Sequence, residues 1–226
     1  MITITDLRCA YGDKLVLKID SCSMAPGVHG IVGLNGAGKT TLFNALYGFG
    51  RSKEAKVLFD GSDLGHRNAA FLEAENYFHP GITGREYLDL FFGAKHFDID
   101  GMNSLLQVPL DELITTYSTG MRRKLALLGV LKLDRPVVLL DEPMNGLDLA
   151  AVRVLEAIVR KLAEQGRTIF ISSHVLAPLK ALCGQIHLLQ GGGIRRTYLP
   201  DAMDTLEKAL FEDLDTHTAA TIARSL

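Results

Sequence analysis

Apolar and polar residues follow patterns along the chain that separate strands from helices. Residues 1–20 alternate like two strands around a turn at Gly12-Asp13. Three apolar runs, at 28–32, 136–140 and 168–172, have the length of buried parallel strands, and helical spacing of apolar residues follows the first two. Strands that alternate with helices predict an α/β fold with a mostly parallel sheet and a β-rich N-terminal part.

Other parts of the chain have helical spacing. Apolar residues recur every three or four positions over about 83–133, which predicts a small α-helical insertion. Its central part, 93–113, has weak periodicity, so we expect short helices and loops there. A hairpin is predicted around 185–194 and an amphipathic helix at about 201–215. We expect a single domain over residues 1–226.

The composition restricts the partners that we expect. The chain has 226 residues and a formal net charge of −2, and its basic residues are scattered, so no nucleic-acid partner is predicted. Its three cysteines lack metal-ligand spacing, which favours reduced thiols in the cytoplasm. No signal peptide is visible, and the apolar runs are too short or too interrupted to cross a bilayer. Any membrane role must therefore come through a partner.

A glycine-rich loop separates the first buried strand from the helix after it. The stretch from Gly33 to Thr40 fits the pattern G-x-x-x-x-G-K-[ST] in the strand–loop–helix context that a phosphate-binding loop requires. Glycines let successive backbone N–H groups face one anion, and the helix dipole adds to the attraction. The alternative is an ordinary glycine-rich turn, which needs neither the lysine nor the threonine. The predicted nucleotide-binding residues here are Gly33, Leu34, Asn35, Gly36, Ala37, Gly38, Lys39, Thr40 and Thr41.

Side chains of this loop and of a later strand end suit phosphate and metal chemistry. Lys39 would reach the β- and γ-phosphates, Thr40 would offer its hydroxyl to Mg²⁺, and Thr41 could contact the α-phosphate. Asp141 follows the second buried run and also suits Mg²⁺. Glu142, one residue further, can accept a proton from water. The alternative is a solvated acidic pair that caps the next turn.

A histidine and a second helix start complete the candidates. His174 follows the third buried run, and we predict that it contacts the γ-phosphate or orients water, although such a histidine can also be a plain surface residue. The other six histidines share no ligand spacing, so no metal is assigned to them. Ser118 is a good N-cap and Gly120 allows close backbone approach, so this helix start suits a second anion or is simply a capped helix. A single nucleotide would need both the helix start after the phosphate loop and this second one only if it were bound between two chains.

Five motifs, at 33–41, 117–121, 137–143, 145–148 and 172–174, resemble in wording and order the motifs of ATP-binding cassette (ABC) ATPases. The similarity covers nearly the whole chain, and the second motif is most similar to cassettes of ABC-2 type exporters. It implies a P-loop NTPase core that binds ATP and Mg²⁺. It also implies that two cassettes sandwich two ATP molecules head to tail.

The resemblance also assigns roles to individual residues. Tyr11 matches the aromatic residue that stacks on adenine, and Asp148 lies in the D-loop. Ser118 and Gly120 would complete the site of the opposite cassette. Thr40 and Asp141 are then the expected metal ligands, and the expected catalytic residues are Glu142, His174 and Lys39.

The function implied by the resemblance is that of an ATP-hydrolysing motor subunit of a membrane transporter. The chain would lie at the cytoplasmic face of the membrane, bound to a separate permease and to a second cassette of the same or a different sequence. One alternative is a soluble ABC ATPase without a transport role, and another is a regulatory module that binds nucleotide without hydrolysis. A GTPase is disfavoured because no Asn-Lys-x-Asp segment occurs.

Residues 73–75 depart from the family pattern. A glutamine is expected there, but the chain has Glu73, Ala74 and Glu75. A carboxylate is attracted by Mg²⁺ and repelled by the γ-phosphate, and the divalent charge should dominate at contact distance. We therefore predict that one of the glutamates approaches the metal only in a closed dimer, the alternative being that both are solvated. The segment between residue 83 and the second motif is also shorter than usual.

Overall fold

The computed structural model describes residues 1–93 and 97–211. The strands, in chain order, are β1 (Ile2–Tyr11), β2 (Lys14–Met24), β3 (Val28–Val32), β4 (Lys56–Phe59), β5 (Ser62–Asp63), β6 (Ala69–Leu72), β7 (Val137–Leu140), β8 (Thr168–Ser172), β9 (Gln185–Gln190) and β10 (Gly193–Tyr198). The helices are α1 (Lys39–Tyr47), α2 (Gly84–Asp89), α3 (Ile99–Leu106), α4 (Thr119–Lys132), α5 (Leu149–Glu164) and α6 (Leu176–Leu182), and residues 203–211 are also helical.

The strands form two sheets. A six-stranded sheet has the order β10-β9-β3-β8-β7-β6, and all of its pairs are parallel except β10 with β9. A four-stranded antiparallel sheet has the order β2-β1-β4-β5. Every residue of β3, β7 and β8 is buried, as continuous apolar runs predict for central parallel strands. The predicted α/β class, with a mostly parallel sheet and a β-rich N-terminal part, is confirmed.

The six-stranded sheet is covered by apolar residues on both faces. Val138 and Leu140 of β7 pack in one buried cluster with residues of α4 and α5. Val137 and Leu139 pack in a second cluster with residues of α1 and β1, because neighbouring side chains in a strand point to opposite faces. Phe170, in the middle of β8, is fully buried in this second cluster. The sheet therefore lies between the antiparallel sheet with α1 on one side and the remaining helices on the other.

Helices α2, α3 and α4 lie in the range where the sequence predicts an insertion, of which residues 94–96 fall outside the described residues. Each begins at a side-chain cap, since Thr83, Asp98 and Ser118 each accept a backbone N–H from three residues further on. The C-terminal helix predicted for 201–215 is present as a short 3₁₀ turn and the helical residues 203–211. Its predicted last part, 212–215, also lies outside the described residues. Within the described ranges, none of the helices has the length and apolarity needed to span a membrane.

Candidate nucleotide-binding site

The glycine-rich loop joins β3 to α1 at the carboxyl edge of the parallel sheet. Gly38 is the N-cap of α1 at φ +101°, a conformation that favours glycine, and no side chain caps this helix. The first N–H groups of α1 are therefore free of a side-chain acceptor and suit an anion. Gly33 is required for a different reason, because a Cβ on it would lie 2.5 Å from the carbonyl oxygen of Leu189.

The ammonium group of Lys39 is held inside this loop. Lys39 is buried, and its Nζ donates a hydrogen bond of 2.8 Å to the carbonyl oxygen of Gly33 and one of 3.5 Å to that of Leu34. The positive charge is thus fixed beside a cavity of about 310 Å³ at the mouth of the loop. This cavity is lined by Val16, Asn35, Gly36, Gly38, Lys39, Thr40, Thr41, Asp141 and Glu142.

Asp141 is held by two hydroxyl groups. The Oγ1 of Thr40 donates a hydrogen bond of 2.7 Å to Oδ2, and the Oγ of Ser172 donates to Oδ1. Asp141 is almost completely buried, so these contacts fix the orientation of its carboxylate. The paired hydroxyl and carboxylate oxygens of Thr40 and Asp141 are of the kind that Mg²⁺ prefers, and both line the cavity. This donor set therefore fits the ion that the sequence implies.

Glu142 has a left-handed backbone conformation, with φ +47°, which is uncommon for a residue with a side chain. Its N–H donates a hydrogen bond of 2.8 Å to the Oγ of Ser172. Its Oε2 accepts a hydrogen bond of 2.9 Å from the Nδ1 of His174 and one of 3.4 Å from the N–H of the same residue. The structure thus joins two residues for which the sequence predicts separate roles.

Ser172 and Val16 are site residues to which the sequence analysis gave no role, although Ser172 lies in the motif at 172–174. Ser172 binds both Asp141 and Glu142 from the end of β8, and its position as the polar last residue of an apolar run was the signal that could have identified it. Val16 reaches the cavity from β2, and no local pattern marks it.

The predicted residues Tyr11, Ser118, Gly120 and Asp148 lie elsewhere and do not line this cavity. Tyr11 ends β1 with 63% of its surface exposed. The Oγ of Ser118 accepts the N–H of Met121 at 3.2 Å as the cap of α4. None of these four residues therefore contributes to the cavity at the mouth of the phosphate loop.

The start of α4 packs closely on the segment that precedes α5. A Cβ on Gly120 would lie 2.7 Å from the carbonyl oxygen of Gly146, so only glycine fits without displacement. The Nζ of Lys124 lies 2.9 Å from the Oδ2 of Asp148, which also caps α5. The N–H of Ala151, together with Lys124, lowers the pKa of Asp148 and keeps it ionised. Two of the predicted motifs are thus joined within one chain.

Residues 73–75 follow β6 and are exposed. Neither Glu73 nor Glu75 lines the cavity of the phosphate loop. Burial, together with the charge of Glu73, raises the pKa of Tyr87 to about 12, and the same two causes raise the pKa of Tyr47. Glu73 therefore acts electrostatically on two tyrosines outside the cavity, and an approach of either glutamate to Mg²⁺ stays a prediction.

The sequence model of the ABC transporter family matches residues 17–145. An uncharacterized ABC transporter ATP-binding protein of Nostoc sp. is 30% identical over 217 residues, which cover 85% of this chain and 64% of the relative. A second such protein, of Bacillus subtilis, is 30% identical over 94% of this chain and 74% of its own length. Nod factor export ATP-binding protein I of Rhizobium etli is 28% identical over 84% of this chain and 66% of its own. The chain is thus similar to only part of each of these longer relatives.

Two solved structures have the same fold. One, described as the ATP binding subunit of an ABC transporter, has a TM-score of 0.82 and 22% identity, over 93% of this chain and 94% of the other. A bacterial Atm1-family ABC exporter with ATP bound has a TM-score of 0.81 and 20% identity, over 96% of this chain and 42% of the other. At these identities the likeness establishes the fold alone.

Proposed function

The chain belongs to the ABC transporter family, and from that premise we propose that it hydrolyses ATP as the motor subunit of a membrane transporter. The proposal rests on two hydrogen bonds beside the phosphate loop, one between Thr40 and Asp141 and one between His174 and Glu142. A site that only binds nucleotide needs the loop and the metal ligand. It does not need a second carboxylate held in an uncommon backbone conformation by two neighbours.

The glycine-rich loop and Lys39 bind the triphosphate. The N–H groups at the start of α1 have no side-chain acceptor, and the fixed ammonium of Lys39 lies beside the same cavity. Donors that are already oriented lose little freedom when a phosphate binds, which favours tight binding and a defined position of the γ-phosphate. Thr40 and Asp141 would hold Mg²⁺, which supplies positive charge to neutralise the phosphate oxygens when bound.

Glu142 is the proposed general base for the attacking water. His174 contacts only Oε2 of the carboxylate, which leaves Oε1 available to accept a proton. The side chain of Glu142 is 15% exposed and that of His174 is 56% exposed, so the base is sheltered while the histidine faces outwards. His174 does not itself line the cavity, and we propose that it contacts the γ-phosphate while it holds the base.

The exposed residues around the start of α4 support a shared site. Ser118 is exposed, and so are the apolar side chains of Leu149 and Val175, which follow Asp148 and His174 in the sequence. We propose that a second cassette covers these surfaces head to tail, with Ser118 and Gly120 completing the nucleotide site of the opposite chain. Tyr11 is free to stack on adenine because its ring is exposed.

The transport role is inferred from the relatives. Several are named ABC transporter ATP-binding proteins, and one is named for Nod factor export. We propose that the chain lies at the cytoplasmic face of a membrane by binding a separate permease. A soluble ABC ATPase without a permease is the competing function. Recovery of a membrane-spanning partner by co-purification from native membranes supports the transport role, and its repeated absence from detergent extracts contradicts it.

The hydrolytic role is tested by phosphate release with MgATP. We expect the wild-type chain to release phosphate, and Glu142→Gln to bind ATP by calorimetry but to release phosphate at least 100-fold more slowly, since removal of a general base costs about 10²- to 10⁴-fold. The control is Glu54→Gln, at an exposed carboxylate in the turn after α1. A wild-type chain that binds ATP without releasing phosphate would indicate a regulatory nucleotide-binding module instead.

A further inference from the structure

Arg123 is a buried arginine in α4 whose hydrogen bonds are directed at backbone carbonyl groups. Its Nη1 donates to the carbonyl oxygens of Glu73 and of Ala74, the latter at 3.3 Å. Its Nη2 donates to those of Asp141 and of Glu142, the latter at 2.9 Å. Its Nε lies 3.5 Å from the carbonyl oxygen of Pro143. One guanidinium group thus joins the segments that follow β6 and β7.

The guanidinium remains charged in this environment. Burial lowers the pKa of Arg123 to about 10, while the charges of Asp141 and Glu142 act in the opposite direction. A buried charge is costly unless its donors are satisfied, and a planar fork of five N–H groups can serve several carbonyls at once. Lysine has a single nitrogen and cannot reproduce this geometry.

The carbonyl of Glu142 needs such a partner because its residue has a strained conformation. At φ +47° a residue with a side chain is strained, and this conformation persists only where its surroundings hold it. Ser172 holds the N–H of Glu142 and Arg123 holds its carbonyl oxygen, so the peptide groups on both sides of the Cα are fixed. The direction of the carboxylate depends on both contacts.

We infer that Arg123 is a positioning residue for hydrolysis, which sets the carboxylate of Glu142 through its backbone and couples it to α4 and to the loop at 73–74. Arg123 does not line the cavity, so it acts through Glu142 and not on the nucleotide. A shift of α4 moves the guanidinium, and the guanidinium moves the base. This inference rests on the proposed function because it requires Glu142 to be the base.

The first test compares Arg123→Lys and Arg123→Met with Arg122→Met in steady-state ATP hydrolysis. Arg122 is an exposed neighbour on the same helix, with a contact of 3.5 Å to the carbonyl of Thr115. We expect kcat to fall about 10- to 100-fold in both Arg123 variants, with KM for ATP changed less than about threefold, because misplacement of a catalytic group by about 1 Å costs roughly that much. The Arg122 variant should keep the wild-type kcat. An unchanged kcat in Arg123→Lys overturns the inference.

The second test separates positioning from a general loss of structure. In a Glu142→Gln background, single-turnover hydrolysis should be no slower with Arg123→Lys than without it, because the arginine acts only through the missing carboxylate. An equal loss in both backgrounds overturns the inference in favour of a structural role. So does loss of the folded far-ultraviolet circular dichroism spectrum in both Arg123 variants. If only Arg123→Met fails to fold, Arg123→Lys decides the test.

The two proposals fail in different ways. A wild-type chain that does not hydrolyse ATP, or whose rate is unaffected by Glu142→Gln, overturns the proposed function and this inference with it. A chain that hydrolyses ATP, loses the activity on Glu142→Gln and keeps it on Arg123→Lys overturns only the role of Arg123.

Discussion

The residues around the phosphate loop and the residues around the start of α4 differ in what their side chains already contact. Thr40 and Asp141 are 101 positions apart and yet hydrogen-bonded, and Lys39 is buried in its own loop. Ser118, by contrast, is exposed and serves only as a helix cap, and Asp148 is also exposed at its own cap. The side chains of the first group contact one another across the sequence, whereas Ser118 and Asp148 remain exposed to solvent although both cap helices of the same chain. This difference is what the proposed head-to-tail pairing of two cassettes predicts.

Substitution of Ser118 by arginine should have the largest effect, because Ser118 belongs to the exposed group. In a Glu142→Gln background, ATP should produce a dimer, and Ser118→Arg should abolish it, because the much larger side chain at each of the two symmetry-related helix starts would keep the chains apart. ATP binding to the monomer should persist. Light scattering with and without ATP measures the dimer, and Ser104→Arg, at an exposed serine of α3, is the matched control. Dimerisation that survives Ser118→Arg contradicts the assignment of this helix start to the interface.

Substitution of Lys39 tests the group of residues around the phosphate loop. Lys39→Ala should weaken ATP binding to the monomer about 100-fold, since loss of a hydrogen-bonded charge partner costs up to about 3 kcal/mol. Calorimetry with ATP and Mg²⁺ measures the change, and Lys53→Ala, at an exposed lysine of the turn after α1, is the control. Undiminished affinity in Lys39→Ala would remove the phosphate role from this residue.

A buried histidine pair supports the strand that leads into the phosphate loop. The Nδ1 of His29 in β3 lies 3.0 Å from the Nε2 of His187 in β9, whose Nδ1 lies 2.8 Å from the Oγ1 of Thr197. Burial, with His29 as a second cause, lowers the pKa of His187 to about 4. In the unfolded chain His187 is therefore protonated as the pH falls through about 6.5, whereas in the folded chain it is protonated only near pH 4. This contribution to stability is complete above about pH 6.5 and is lost as the pH falls towards 4.

From the separation of the two pKa values, the free energy of unfolding should be about 2 kcal/mol lower at pH 5 than at pH 7.5 because of His187. Urea unfolding at the two pH values measures it. In His187→Gln, which keeps an amide able to hydrogen-bond, the difference between the two pH values should be smaller than in the wild type by about that amount. Comparison of the differences removes the cost of the substitution itself, and equal differences would exclude His187 as the source.

The site was predictable from sequence where local pattern determines position. Asp141 ends a continuous apolar run, and parallel strands bring such ends to one edge, so its meeting with Thr40 follows from the topology. Ser172 and Arg123 were not identified because a hydroxyl or a guanidinium gains its role only from distant partners. Helix α3 lies in the region of weakest periodicity, where the cap at Asp98 is the local signal for its start. Long-range contacts thus explain what the sequence left undetermined.

Substitutions at residues 73–75 should have the smallest effect and test whether this loop joins the completed site. Arg123 holds the carbonyls of Glu73 and Ala74, so the backbone is fixed while both carboxylates stay exposed. At contact distance the attraction of a carboxylate for Mg²⁺ should exceed its repulsion from the γ-phosphate. We therefore expect either Glu73→Gln or Glu75→Gln to raise the Mg²⁺ requirement of hydrolysis about two- to fivefold, in the ATP-bound dimer only.

The measurement is the Mg²⁺ dependence of phosphate release for each variant separately, with Glu54→Gln as the control for loss of an exposed charge. In a Ser118→Arg background, which is expected to stay monomeric, the Mg²⁺ dependence of ATP binding measured by calorimetry should be unchanged by either substitution if the approach occurs only on closure. A shift in the monomer as well would place the carboxylate at the metal without a partner. If neither substitution changes the Mg²⁺ requirement or the rate, both glutamates are solvated bystanders. The metal is then held from the protein side by Thr40 and Asp141, which are already joined at 2.7 Å.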